Sequence, residues 1–197
     1  MYGLNAPKGT RSGSGNIDSG IRIEHMTREF EITVRYDSEL RERLEAGPTD
    51  PLGWIDTVAV DDRSLIGGDS AEGMKEYLVS LFCGLLQSVP AILDGERAVV
   101  ETGNGPVYLA IDPVEGDTVR VAVCYSEETA RSSAEREPYE PSAVVDVQSF
   151  VEEIIRTASE FKAFVSDVDP DLANESAYRG LREDVERAEN AYETGRK

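Results

Sequence analysis

The chain has 197 residues, 39 of them acidic against 20 basic, which gives a formal net charge of -19 and a pI near 4.4. Such a surface repels phosphate backbones, and no run of arginines overrides the total, so nucleic acid is excluded as an expected partner. No apolar run reaches the roughly 18 residues of a spanning helix, the opening segment lacks the apolar centre of a secretion signal, and the length suits one domain; a cytoplasmic protein without a membrane partner is expected.

Residues 1–26 are rich in glycine and serine and carry no apolar period, so they read as a disordered extension, and Met26 is a candidate second start. The sole histidine, His25, lies in this boundary zone and reads as solvated. The folded domain is expected over 27–195. Phe30, Ile32, Val34 and Tyr36 alternate with polar residues, which predicts a strand with one wet face. Leu40 and Leu44 predict a short helix over 37–46, stopped by Gly47 and Pro48. Residues 54–60, WIDTVAV, predict a second strand, followed by a loop containing Gly67 and Gly68.

The stretch 69–89 dominates the pattern. Met74, Tyr77, Leu78, Leu81, Phe82, Leu85, Leu86 and Val89 step by three and four, one face of a helix. Asp69 and Glu72 suggest a capping box at its start, and Pro90 an end near Val89. Three strands then follow in quick succession, over 97–102, 107–111 and 118–125, joined by the glycine-bearing turns GNGP and PVEGD. Short connections predict an antiparallel meander. Residues 126–142 are polar and without period, and read as an exposed loop. After a short edge strand at 143–145, Asp146 caps a helix carrying Phe150, Ile154, Ala158, Phe161 and Val165 inward. Asp169 and Pro170 open a last helix with a narrow stripe of Tyr178, Leu181, Val185, Ala188 and Tyr192. The fold class is therefore α+β: a mainly antiparallel sheet of five or six strands packed on a long central helix, with two C-terminal helices.

The chemistry-bearing residues are few. One histidine disfavours serine-histidine, cysteine-histidine and histidine-zinc arrangements. There is no phosphate loop, and the run of Gly103, Asn104 and Gly105 joins strands rather than opening a helix. Cys83 and Cys124 read as buried free thiols. Asp56, Asp61, Asp62 and Asp69 are candidate oxygen ligands for a divalent cation, and solvated acidic loops are the competing reading. A second acidic group is Asp112, Glu115 and Asp117, which a polar turn explains equally well. The last helix supplies the candidate partner-binding residues, Tyr178, Leu181, Val185 and Tyr192, with docking on the chain's own sheet as the alternative. No cofactor is expected.

The scarcity of lysine (Lys8, Lys75, Lys162 and Lys197) and the spread of acidic residues resemble the composition of haloarchaeal proteins. At about 1 M salt a Debye length of about 3 Å mutes self-repulsion, so adaptation to salt competes with steering of a basic partner as the cause of the charge. The order of elements, over roughly 27–195, resembles small immunity proteins of bacterial and archaeal toxin systems. That resemblance implies a non-enzymatic protein that occludes a basic partner through acidic and aromatic surface residues. The alternatives are a carboxylate- or metal-dependent enzyme and a homo-oligomer formed through the last helix.

Overall fold

Eight strands and five helices follow one another along the described residues, which are 30–47, 49–60, 63–66 and 73–195 of the computed structural model. Expectations for residues 1–29 and for Asp61, Asp62, Asp69 and Glu72 lie outside them. β1 (Phe30–Val34) runs antiparallel to β2 (Leu52–Val60), and α1 (Ser38–Glu45) joins the two. Asp37 caps α1 by accepting the Leu40 amide at 2.9 Å, and Leu40 and Leu44 point inward as their spacing requires. β3 (Arg63–Ile66) and β4 (Met74–Tyr77) both pair with β2. Val58 is opposite both Ile32 and Ile66, and Ile55 is opposite both Val34 and Met74, so β3 and β4 share the edge of β2 that β1 does not use.

The second sheet holds β5 (Ala98–Glu101), β6 (Tyr108–Pro113), β7 (Thr118–Cys124) and β8 (Ser142–Asp146), each antiparallel to its neighbour in sequence. The meander is thus as its short turns demand, and Gly105 takes the positive φ of +123° that the hairpin requires. The expected single sheet of five or six strands is instead two sheets of four. The physical cause is α2 (Leu78–Leu93), which follows β4 directly and starts the chain on a new layer.

α2 differs from the expected helix at both ends. Met74 and Tyr77 fit a helical stripe, but they belong to β4, whose backbone bonds to β2 and whose Glu76 turns inward. The helix starts at Leu78 because Asp50, from the loop before β2, accepts the amides of Val79 at 2.8 Å and Ser80 at 2.9 Å. A remote carboxylate thereby serves the free N-terminal amides. Pro90 lies inside the helix, which runs one more turn. It closes with Glu96 donating to the Ala91 carbonyl and Gly95, at φ +72°, donating to Ile92, the paired bonds of a Schellman end.

α4 (Val147–Val168) and α5 (Ser176–Gly195) are longer than α2, so the architecture has three principal helices rather than one. The Asp146 cap of α4 is as expected, accepting from the Ser149 amide. α5 begins at Ser176, later than Asp169 and Pro170 suggest, because a 3-10 turn at Leu172–Asn174 intervenes. α2 packs against β5, α4 and α5, with the rings of Phe82 and Phe161 5.6 Å apart. Phe150 of α4 meets Phe30 of β1 at 4.7 Å. Ile55, Leu85, Val121 and Phe150, from both sheets and two helices, enclose a void of about 10 Å³. Its apolar walls offer a water no partner, so it stays dry. No helix among the described residues is long and apolar enough to cross a membrane.

Candidate interaction surface

The outer face of the second sheet is where the chain builds something its core does not need. On β6 and β7 the inward positions are Leu109, Ile111, Val119, Val121 and Val123, while the outward ones include Ala110, Ala122 and Cys124, all fully buried. Small buried residues on an outer face mean that another segment lies on them. That segment is 126–141, expected as a loop and found to be a folded cap. It contains α3 (Glu127–Arg131) and a 3-10 turn at Ser133–Glu135. Ser126 starts α3 by accepting the Thr129 amide at 3.2 Å, and Ala130 seats on Ala110, Ala122 and Cys124.

Two acidic residues fasten the cap. Glu140 is buried and accepts from the Tyr125 amide at 3.0 Å, the Thr129 hydroxyl at 2.7 Å and the Glu137 amide at 3.0 Å. Burial alone would push its carboxyl up, but these donors and nearby Arg136 outweigh it and hold the group below its ordinary value. Asp112, outward on β6, pairs with Arg97 at 2.5 Å and with Arg136 of the cap. Arg136 also donates to the Thr129 carbonyl, and Arg97 to that of Arg131. The Cys124 thiol beneath is pushed up by burial, which leaves it unreactive. Each ionisable group under the cap is therefore already engaged in holding it.

What the cap and the residue that leads into it show to solvent is a pair of tyrosines. Tyr125 is 50% exposed and Tyr139 71%, with ring centroids 6.5 Å apart and planes inclined by 22°. Glu127, Glu128, Glu135 and Glu137 are exposed on the same segment. Beside α3, Arg97, Val99, Glu101, Tyr108, Glu127 and Arg131 line an open groove of about 400 Å³. A tyrosine has only two χ angles to order on contact, and a carboxylate border suits a cationic partner.

The residues singled out from the sequence are elsewhere. Tyr178, Leu181 and Val185 are buried in the interior, where α5 packs on α2 and α4. The Tyr178 hydroxyl donates to the Thr49 carbonyl at 3.0 Å and is pushed up to about 12, by burial first and then by Asp50. Tyr192 is half-buried against the same core and bonds Glu152. The stripe proposed for a partner or a second copy is thus filled by the chain itself, because α2 offers it a mainly apolar neighbour, and the Gln87 amide of α2 donates to Asp184 of α5 at 2.8 Å. Asp56 accepts from Arg35 at 3.1 Å, in a cluster where Arg35 and Lys75 lie 5.2 and 4.7 Å from the Trp54 ring centre. Among the described residues no three acidic, histidine or cysteine side chains are grouped to hold a metal ion. Asp112 is committed to its arginines, and Glu115 and Asp117 lie in an exposed turn. The signal that sequence reading passed over was the outward run of Ala110, Ala122 and Cys124, too small and apolar for a wet face.

No protein-family model, curated protein or solved structure matches the chain.

Proposed function

We propose that the chain is a non-enzymatic protein-binding domain that occludes a basic partner, in the manner of an immunity protein, and that the 126–141 cap is its contact surface. The observation that carries this reading is the stacked, exposed Tyr125 and Tyr139 pair on a segment pinned from below. Tyrosine is enriched among residues that dominate binding energy, and a backbone held in place before contact needs no ordering when a partner arrives. The net charge of -19 and the four exposed glutamates of the cap favour a cationic surface opposite. Binding is favoured over catalysis at this face because Asp112, Glu140, Arg97 and Arg136 are each tied to a partner within the fold.

The test is capture from the source lysate on immobilised protein across a salt series. The reading expects a basic protein to be retained, with its association slowed as salt rises. Retention of neutral or acidic proteins alone, without salt dependence, would count against it.

A further inference from the structure

β5 is the strand at which the second sheet ends, and its outer edge is bare backbone. Thr102 donates its amide to the Val107 carbonyl at 2.9 Å, so a hydrogen-bonded pair closes the β5–β6 hairpin. Such pairs alternate along an antiparallel ladder, which makes Ala98 and Val100 the residues that bond to Ile111 and Leu109 of β6. The amides and carbonyls of Arg97, Val99 and Glu101 therefore turn away from the sheet, and none has another partner among the described residues. β5 holds no proline, no lysine and no shift of register, the devices that blunt an edge. β1, an edge of the other sheet, has a shifted ladder between Thr33 and Val34, and Glu153 accepts its Ile32 amide.

On the outer face this edge carries Arg97, Val99 and Glu101, which are exposed, half-buried and exposed in turn. The two charges have opposite signs and stand at equal distances from Val99. A second copy laid antiparallel about a two-fold axis through Val99 sets Arg97 of each chain opposite Glu101 of the other, and Val99 opposite itself. The free amides and carbonyls of both edges then face one another across the junction. Neighbouring registers set Arg97 or Glu101 against Val99, and the next ones set like charges face to face, which is destabilising. We propose that the protein forms a two-fold dimer by antiparallel pairing of β5 with β5 of a second copy, centred on Val99.

The charge order is what commits the edge to a second copy. A foreign strand can carry any sequence, whereas self-pairing requires opposite signs placed symmetrically about the centre, as Arg97 and Glu101 are. Arg97 keeps Asp112 and the Arg131 carbonyl, and Glu101 makes no ion pair within its own chain among the described residues. The two Val99 side chains cover each other, while Ala98 and Val100 stay in the core of their own chain. A charge of -19 on each copy opposes association, so the pairing is tightest where salt screens it, with a Debye length of about 3 Å at 1 M. The four strands of one copy continue into the four of the other, and both 126–141 caps stand on the same outer face. The dimer does not depend on the caps binding anything.

The experiment is sedimentation equilibrium of the full-length protein over a concentration series at about 1 M salt, joined to oxidative cross-linking of cysteine variants. The expected result is a reversible monomer–dimer equilibrium. Val99→Pro removes an amide that β6 does not use, and Glu101→Arg turns the cross-strand pair into a repulsion. Each is expected to weaken the dimer by about tenfold or more with the melting temperature little changed. Cross-linking reads the register without relying on either variant. Val99→Cys brings two thiols to the axis, with Cα atoms about 5.5 Å apart and within reach of a disulfide, whereas Glu101→Cys leaves them about 13 Å apart along the strands. Diamide is expected to join the first variant and not the second, with the unsubstituted chain, whose own thiols are Cys83 and Cys124, as the blank. A monomer at every concentration, a dimer undiminished in Val99→Pro and Glu101→Arg, or cross-linking as fast at 101 as at 99, would each overturn the proposal.

Discussion

Glu153 of α4 accepts the backbone amide of Ile32 of β1 at 2.8 Å, joining residues 121 apart in the chain. β1 is an edge strand, so its outward amides would otherwise face water or another strand. Glu153 is itself clamped by Arg156, at 2.6 and 2.7 Å, and the same guanidinium approaches the Ile32 carbonyl at 3.5 Å. A helix thereby closes an exposed ladder with side chains. Glu153→Ala leaves the amide without its acceptor and is expected to cost about 2 kcal/mol in urea unfolding. Glu153→Gln, which keeps an acceptor oxygen, is expected to cost less; equal losses would argue that packing, not the hydrogen bond, matters there.

Asp50 offers a parallel test at the start of α2. Its carboxylate takes the amides of Val79 and Ser80 and the Ser80 hydroxyl, at 2.6 Å for the last. Asp50→Ala is expected to destabilise the fold by about 1–2 kcal/mol, as loss of a good N-cap does. Asp50→Ser, which is shorter and neutral, should recover only part of that. Thermal unfolding of the two variants reads the difference, and an unchanged midpoint for the alanine variant would contradict the assignment of Asp50 as the cap.

Much of this layout is legible in the sequence, and the division is physical. α4 is legible because its cap, Asp146, and its stripe from Phe150 to Val165 are all local. The meander β5 to β7 is legible because its turns are short and contain glycine where positive φ is needed. Asp50 is not, since it caps a helix that starts 28 residues later. Nor is β4, whose Met74 and Tyr77 mimic a helical step while its place is set by pairing with Leu52 to Ile55. The cap at 126–141 is hidden for the same reason: Glu140 bonds back to Tyr125, and Arg136 reaches Asp112. No local period reports contacts of that kind.

Two glutamates give pH dependences of opposite sign. Glu76 is fully buried under the turn after β5, and burial raises its carboxyl above the ordinary 4.5 despite the opposing amides of Tyr77, Gly103 and Asn104 and the Thr102 hydroxyl. A raised folded value means that its contribution is greatest below 4.5 and falls as pH rises through the folded value. Glu39 is pulled down to about 2, chiefly by hydrogen bonds from Arg43 and then Lys75, so its contribution is present above 4.5 and lost as pH falls toward 2. It is exposed, and salt screens it. The difference in melting temperature between Glu76→Gln and the unsubstituted protein is therefore expected to become more favourable to the variant from pH 4 to pH 7. A difference that stays constant over that range would show that Glu76 does not titrate with folding.

The two thiols should be inert until the chain unfolds. Cys83 is pushed up to about 12, by burial first and then by Asp184, and Cys124 is raised by burial beneath the cap. The attacking species is the thiolate, which is scarce at pH 8 for both. Reaction with a chromogenic disulfide at pH 8 is expected to be at least about a hundredfold slower in the native protein than in urea. Rapid modification of one thiol without denaturant would mean that the cap or the α2 surface opens readily.

The central claim is that the exposed tyrosine pair on the pinned cap is the contact surface. The direct measurement is capture from the source lysate with the unsubstituted chain, with Tyr125→Ala and Tyr139→Ala combined, and with the double variant Lys162→Gln/Arg182→Gln, in α4 and α5, as a control. Both rings lie outside the core, so the fold should survive their loss, checked by the melting temperature. The account predicts a basic protein retained by the unsubstituted chain and by the control, and lost, or weakened by about thirtyfold or more, in the tyrosine variant. The same protein retained equally by all three would contradict it.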